Sequence, residues 1–212
     1  MSLQQVFDRL LAAYGPQGWW PGDTPFEVMV GAILTQNTAW GNVEKAIANL
    51  KQHQALDAEV IADTPQAQLA AWLKPSGYFN IKATRLRNFC RWYLARGGFE
   101  ALSQWPTDEL RHGLLSVNGV GPETADDMLL YAFERPVFVI DAYTRRLFSR
   151  LGLLDAELGY ETLRQHVEAA LPADVALFNE FHALIVRHAK ERCRKRPLCE
   201  DCPLVAECRV TA

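Results

Sequence analysis

Leu114-Leu115-Ser116-Val117-Asn118-Gly119-Val120-Gly121-Pro122-Glu123-Thr124-Ala125-Asp126-Asp127-Met128 is the stretch whose reading decides the fold. Apolar Leu114, Leu115 and Val117 close one helix, and Gly119-Val120-Gly121 makes a tight hairpin. Pro122 opens the next helix at its first turn, where a missing N–H leaves nothing unsatisfied. Two glycines let backbone N–H groups approach a ligand with no Cβ in the way. The following helix N-terminus adds partial positive charge. The combination suits a phosphate, and it predicts sequence-independent nucleic-acid backbone contacts by Gly119, Val120, Gly121 and Thr124. An ordinary helix–helix turn uses the same residue types.

Outward from the hairpin the period is helical in both directions. Residues 3–13 place Val6, Leu10 and Ala13 on one face, before Pro16 and Gly18. Thr24-Pro25 reads as a cap and first turn for the apolar run Phe26 to Leu34, and Asn42 to Leu50 repeats apolar residues at helical spacing. Further helical stretches are expected at 66–73, 79–95, 107–115, 122–133, 140–151, 160–170 and 174–192. Pro75-Ser76-Gly77, Gly97-Gly98 and Arg135-Pro136 break the pattern between them. The best strand candidate, Pro136 to Ile140, is short, so the expected class is all-α. Trp72, Trp92 and Trp105 are assigned to the core.

The 212 residues are 49% hydrophobic and 22% charged, an ordinary globular balance. The start is amphipathic and carries an Asp, which argues against a secretory signal. No stretch approaches the length of an uncharged membrane span. A soluble, cytoplasmic monomer with no membrane partner is expected. Net charge is −3, yet basic residues cluster at Lys82, Arg85, Arg87 and Arg91, at Arg145, Arg146 and Arg150, and between Arg187 and Arg196. Such runs are usually solvated faces, but three of them make a one-sided basic surface plausible, with Arg194, Lys195 and Arg196 at its end.

Two further features carry chemistry. Four of the five cysteines crowd the end as Cys193-x5-Cys199-x2-Cys202-x5-Cys208, with Pro197 and Pro203 to turn the chain. Disulfides need an oxidising compartment that nothing here suggests. A structural zinc site usually shows two C-x2-C knuckles, and a compact four-thiolate run also suits a [4Fe–4S] cluster. Cys90, within Phe89-Cys90-Arg91-Trp92, reads as an inert buried thiol. Asp141 stands where apolar Val137 to Ile140 gives way to a helix. A helix N-cap is the plain reading, and it is compatible with catalysis because a capping carboxylate is held rigidly.

Together the hairpin, Asp141 and the terminal cysteines resemble the endonuclease III branch of the helix-hairpin-helix (HhH-GPD) DNA glycosylases, over nearly the whole chain. Leu34-Thr35-Gln36-Asn37-Thr38 resembles the family segment that places a Gln near the gap left by an extruded nucleotide. Trp19-Trp20-Pro21, Gln36-Asn37-Thr38 with Trp40, and Lys74-Pro75-Ser76-Gly77-Tyr78 look most similar to the 3-methyladenine glycosylases of this branch.

The resemblance implies two helical domains, residues 25–136 with the hairpin and residues 1–24 with 137–212, and an active cleft between them. It implies a [4Fe–4S] cluster on Cys193, Cys199, Cys202 and Cys208, and double-stranded DNA with a damaged base as partner. Asp141 would be the catalytic carboxylate, and Trp19, Trp20, Gln36, Asn37 and Trp40 would meet the substrate. Two departures matter. Glu123 stands where family members that also cut the backbone carry a lysine, so a monofunctional enzyme acting on alkylated purines is expected. The first cysteine gap is five residues where the common pattern has six, and a longer stretch after His182 could compensate. The competing readings are an oxidised-pyrimidine glycosylase with lyase activity and a non-catalytic DNA-binding iron–sulfur relative.

Overall fold

The structure, a computed structural model, describes every residue except Trp20, Pro21, Ala156, Thr211 and Ala212. The described residues form α-helices joined by short turns, with no strand among them. Two compact units result: Met1–Trp19 with Pro136–Ala212, and Trp20–Arg135.

The first unit is built from both ends of the chain. Its helices are α1 (Leu3–Tyr14), α10 (Ala142–Arg150), α11 (Tyr160–Ala170) and α12 (Val175–Glu191). Helix α1 starts at a capping box in which the Ser2 hydroxyl accepts the Gln5 N–H and Gln5 accepts the Ser2 N–H. It ends at Gly15, whose φ of 70° suits glycine. Val6 and Leu10 are buried as expected, but Ala13 is exposed, because Leu3 takes the third place on the inner face. The core is aromatic: Phe138 meets Phe178 and Phe181 edge-on at 5.3 and 5.8 Å, and Phe7 and Phe148 pack on Phe181.

Pro136 to Ile140 is not a strand. Val137, Phe138, Val139 and Ile140 are all buried, so the segment threads the core outside any helix or strand. Side chains satisfy its amides in place of a partner strand: Phe138 N–H donates to Glu168 at 2.9 Å and Ile140 N–H to the Tyr160 hydroxyl at 3.3 Å.

The second unit holds α2 (Pro25–Leu34), α3 (Trp40–Gln52), α4 (Ala58–Asp63), α5 (Gln66–Leu73), α6 (Phe79–Ala95), α7 (Gly98–Leu102), α8 (Thr107–Leu115) and α9 (Pro122–Asp127). Thr24 caps α2 and Pro25 occupies its first turn, as read from the sequence. Helix α4 was not expected in an acidic stretch. Asp57 accepts the Glu59 and Val60 N–H groups, and Ala58, Ile61 and Ala62 bury one short face. The expected helix 122–133 widens into a π turn at Met128–Ala132, where Phe133 N–H reaches back to Met128 O at 3.1 Å. All of its residues are buried.

The three tryptophans assigned to the core are only half-buried. Trp72 stacks on His53 at 4.8 Å, and Trp92 meets Trp105 edge-on at 6.4 Å. No single described helix is long and apolar enough to cross a membrane.

Candidate functional site

In the first unit Asp141 is the N-cap of α10. Its carboxylate accepts the Thr144 N–H at 2.7 Å, and its second oxygen stands 3.5 Å from Nε2 of His182 on α12. The aspartate side chain is 13% exposed and the histidine 6%. Burial alone would raise the pKa of Asp141, but His182 and Thr144 outweigh it and hold the carboxyl below its ordinary value. The group therefore stays ionised. Trp19 extends the cluster, its ring 6.4 Å from that of His182 and tilted by 56°. The structure thus brings together an ionised carboxylate, an imidazole and an indole. Trp20 lies outside the described residues.

The four terminal cysteines line one pocket, partly open to solvent, with Leu147, His188 and Leu204 among its other walls. None of the five cysteines is in a disulfide. Among the described residues no three His, Cys, Asp or Glu side chains converge closely enough to hold a single metal ion. The pocket is braced from α10. Arg146 donates to the Cys193 carbonyl at 2.7 Å, and Arg150 to the carbonyls of Arg194 and Lys195, with Nη1 3.3 Å from the Cys193 sulfur. Burial pushes the Cys202 thiol up, and the other three thiols add to this. Four thiols around one pocket, with a guanidinium facing one sulfur, form a donor set that fits a multi-iron cluster. Arg194, Lys195 and Arg196 are exposed. Cys90 is buried, and burial raises its thiol far above the ordinary range.

In the second unit the hairpin separates its two glycines. Gly119 has φ of 104°, and a Cβ there would overlap the Arg85 stem, so the fold itself demands glycine. Gly121 has φ of −93° and nothing within 4 Å of a built Cβ. The fold makes no such demand at Gly121, and the space beside its backbone is open. Val120 is buried and Glu123 is exposed on the first turn of α9.

Gln36 is occupied. Its amide donates to Gly119 O and to the Thr124 hydroxyl, both at 3.0 Å, and its oxygen accepts from Arg85. Asn37 is exposed with φ of 54°, while Trp40 lies across Gly31, 3.3 Å from where a Cβ would stand. Within their unit, Gln36 joins the hairpin residues and Trp40 packs on α2.

The expected basic face is largely spent on internal bonds. Lys82 is 1% exposed, and its ammonium donates to Leu34 O at 2.7 Å and Ser76 O at 2.6 Å. Arg145 reaches Leu158 O, and Arg187 pairs with Glu191 over the Tyr14 ring. Charge runs in sequence do not reveal which cations bond to carbonyls.

Two residues were named in the sequence reading but given no site role there. His182 sits in Phe181-His182-Ala183-Leu184, where a lone histidine among apolar residues reads as core. Tyr78 is 68% exposed with φ of 46° at the start of α6. Its backbone conformation and its exposure are structural facts that the sequence does not display.

A family profile described as the HhH-GPD superfamily base excision DNA repair protein matches residues 30–173. A protein of Methanocaldococcus jannaschii, provisionally named a DNA repair glycosylase, is 45% identical over 97% of this chain and 95% of its own length. The crystal structure of the H. pylori 3-methyladenine DNA glycosylase bound to 1,N6-ethenoadenine superimposes with a TM-score of 0.78 at 30% identity. The match covers 90% of this chain and 98% of that one. A non-covalent endonuclease III–DNA complex shares the fold, with a TM-score of 0.84 at 20% identity, over 99% of this chain and 96% of that one.

Proposed function

Given that the chain belongs to the HhH-GPD superfamily of base excision DNA repair proteins, we propose that it is a monofunctional DNA glycosylase that hydrolyses the glycosidic bond of an alkylated purine. The observation that carries this reading is the ionised carboxylate of Asp141, fixed by Thr144 and His182 with an indole beside it. As the base departs, the sugar takes on oxocarbenium character, and a rigid anion stabilises it without reorganising. The same carboxylate can accept a proton from the attacking water. An alkylated purine carries positive charge, and Trp19 offers an electron-rich face for it.

The target base is out of reach inside the stack, so the nucleotide must be extruded into the site, at least cost for a damaged base. Backbone binding is assigned to the hairpin and to exposed Arg194, Lys195 and Arg196. The open space at Gly121 supports the hairpin's part, since it leaves room for a ligand beside the backbone. Exposed Tyr78 presents an aromatic face on which a base could stack. A [4Fe–4S] cluster on Cys193, Cys199, Cys202 and Cys208 would supply no chemistry to this reaction and would fix the tail that carries the basic loop. Similarity to the 3-methyladenine glycosylase supports the alkylpurine class. Glu123 argues against lyase chemistry, because a carboxylate forms no imine with the sugar.

The test is excision from duplexes containing 3-methyladenine, 1,N6-ethenoadenine or an oxidised pyrimidine. Release of the alkylated base, with strand breaks only after alkali and no adduct trapped by borohydride, is the expected result. Efficient trapping would overturn the monofunctional reading, and release of only the oxidised pyrimidine would overturn the substrate class. Gly121→Ala adds a structural arm: melting should be unchanged while affinity for every duplex falls.

A further inference from the structure

Residues 15–19 leave α1 outside any helix, so their amides need partners beyond a helical ladder. Gly15 N–H bonds Leu11 O at 2.8 Å, and Pro16 has no N–H to place. The next two amides, of Gln17 and Gly18, both go to the Glu180 carboxylate on α12, one to each oxygen, at 2.6 and 3.3 Å. The Gln17 side chain closes the turn by donating to Gly15 O at 2.8 Å. Arg187, two turns beyond Glu180 on the same stripe of α12, donates to Tyr14 O at 3.1 Å and to Gln17 Oε1 at 3.3 Å. Two side chains of opposite charge thus pin the loop, one by its carbonyl and one by its amides. Trp19 follows directly, its ring 6.4 Å from that of His182.

We infer that Glu180 is a positioning residue for Trp19: by holding the two amides just ahead of it, the carboxylate sets the indole beside Asp141 and His182, where it meets the extruded base. Helix α12 then carries two anchors of one site, since His182 stands against the Asp141 carboxylate and Glu180 holds the approach to the indole. A carboxylate suits the task because both of its oxygens accept. An amide side chain offers one acceptor and turns a donor toward the second N–H. Without this hold the loop would have to be ordered again each time a base bound, at a cost in binding. The inference rests on the reading that Trp19 stacks on the base, but its first test does not.

That test is NMR of the DNA-free protein as purified. Glu180→Leu, of similar size, should speed exchange of the Gln17 N–H by about tenfold and leave the amides of α12 protected. It should also shift the indole N–H resonance of Trp19, identified by its loss in Trp19→Phe. Glu180→Gln, which keeps one acceptor, should fall between the wild type and the Leu variant on both readouts. Unchanged exchange at Gln17, or an indole resonance that stays in place, would overturn the inference whatever the protein does with DNA.

Excision is the second arm, measured under single turnover on the lesion duplex that the wild type processes fastest. Trp19→Ala should slow it by about ten- to a hundredfold through lost stacking. Glu180→Leu should slow it by about tenfold, because the indole is present but misplaced. If Glu180 acts through Trp19, the double variant is no slower than Trp19→Ala alone. Losses that multiply in the double variant would mean that Glu180 acts apart from the indole, and would overturn the proposal. If Trp19→Ala excised like the wild type while exchange and resonance responded as expected, the stacking role of Trp19 would fail and the hold of Glu180 on the loop would stand.

Discussion

Asp141 carries two roles through one geometry, and they can be separated by the choice of substitution. Asp141→Asn keeps an oxygen for the Thr144 N–H, so most of the cap survives. Excision should nonetheless fall by about a hundredfold or more, because the charge that stabilises the sugar cation is gone. Asp141→Ala should lose that activity and about 1 kcal/mol of stability as well. Single-turnover excision and thermal melting read the two effects, and activity of the Asn variant within a few-fold of wild type would move the role elsewhere. A pH profile adds the histidine. Because the Asp141 pKa is depressed in the folded protein, its stabilising contribution is present above the ordinary aspartate value, about 3.9, and is lost as pH falls through the folded value. Replacing His182 by Ala removes the largest of the opposing causes, so the acid limb of excision should move to higher pH. An unmoved limb would deny His182 this part. The aspartate was legible because a polar residue ended an apolar run, whereas the histidine sat inside one.

At the scale of elements, periodicity located most helices because buried positions recur every three or four residues. It missed α4, whose six residues bury only Ala58, Ile61 and Ala62 behind an acidic surface. It also missed the π turn, since five buried residues in a row carry no period. Helix α6 shows what the pattern cannot display: Lys82 reads as a surface cation, yet its ammonium is buried on two carbonyls. Burial first, and Arg85 second, lower its pKa to about 8. An unfolded lysine titrates near 10.4, so between about 8 and 10.4 the unfolded chain binds more protons and stability rises with pH. Lys82→Met should abolish this rise. Urea unfolding at the two ends of that window should show the wild type gaining on the variant by roughly 2 kcal/mol. Parallel curves for the two proteins would mean that the buried amine titrates where an unfolded lysine does, with no shift on folding.

For the whole molecule, what matters is that one unit closes the chain on itself. Met1–Trp19 and Pro136–Ala212 fold together, although the whole of the other unit separates them in sequence. The cysteine tail takes part in that closure. Arg9 on α1 pairs with Glu207, beside Cys208, and Tyr14 donates to or accepts from His188 at 2.8 Å, while His188 stands 3.9 Å from the Cys202 sulfur. Arg187 also holds the Tyr14 carbonyl at 3.1 Å. The sequence could place the cysteines in one run and the helices in order, but not this dependence of the first helix on the last residues, which no local pattern encodes. If the thiols hold a [4Fe–4S] cluster, its binding free energy is folding free energy for the elements around it. The purified protein should contain about four irons per chain with a brown colour, and one zinc with no iron would reject the cluster. Cys202→Ala should then loosen more than the tail. Amide exchange should rise across residues 1–19 and 180–210, while residues 25–135, with a core of their own, keep their protection. Exchange that rises only near the substituted cysteine would show that α1 is held by its packing and bonds to α12, such as Phe7–Phe181 and Arg187–Tyr14, without the tail. A uniform rise along the chain would show instead that the two units unfold as one.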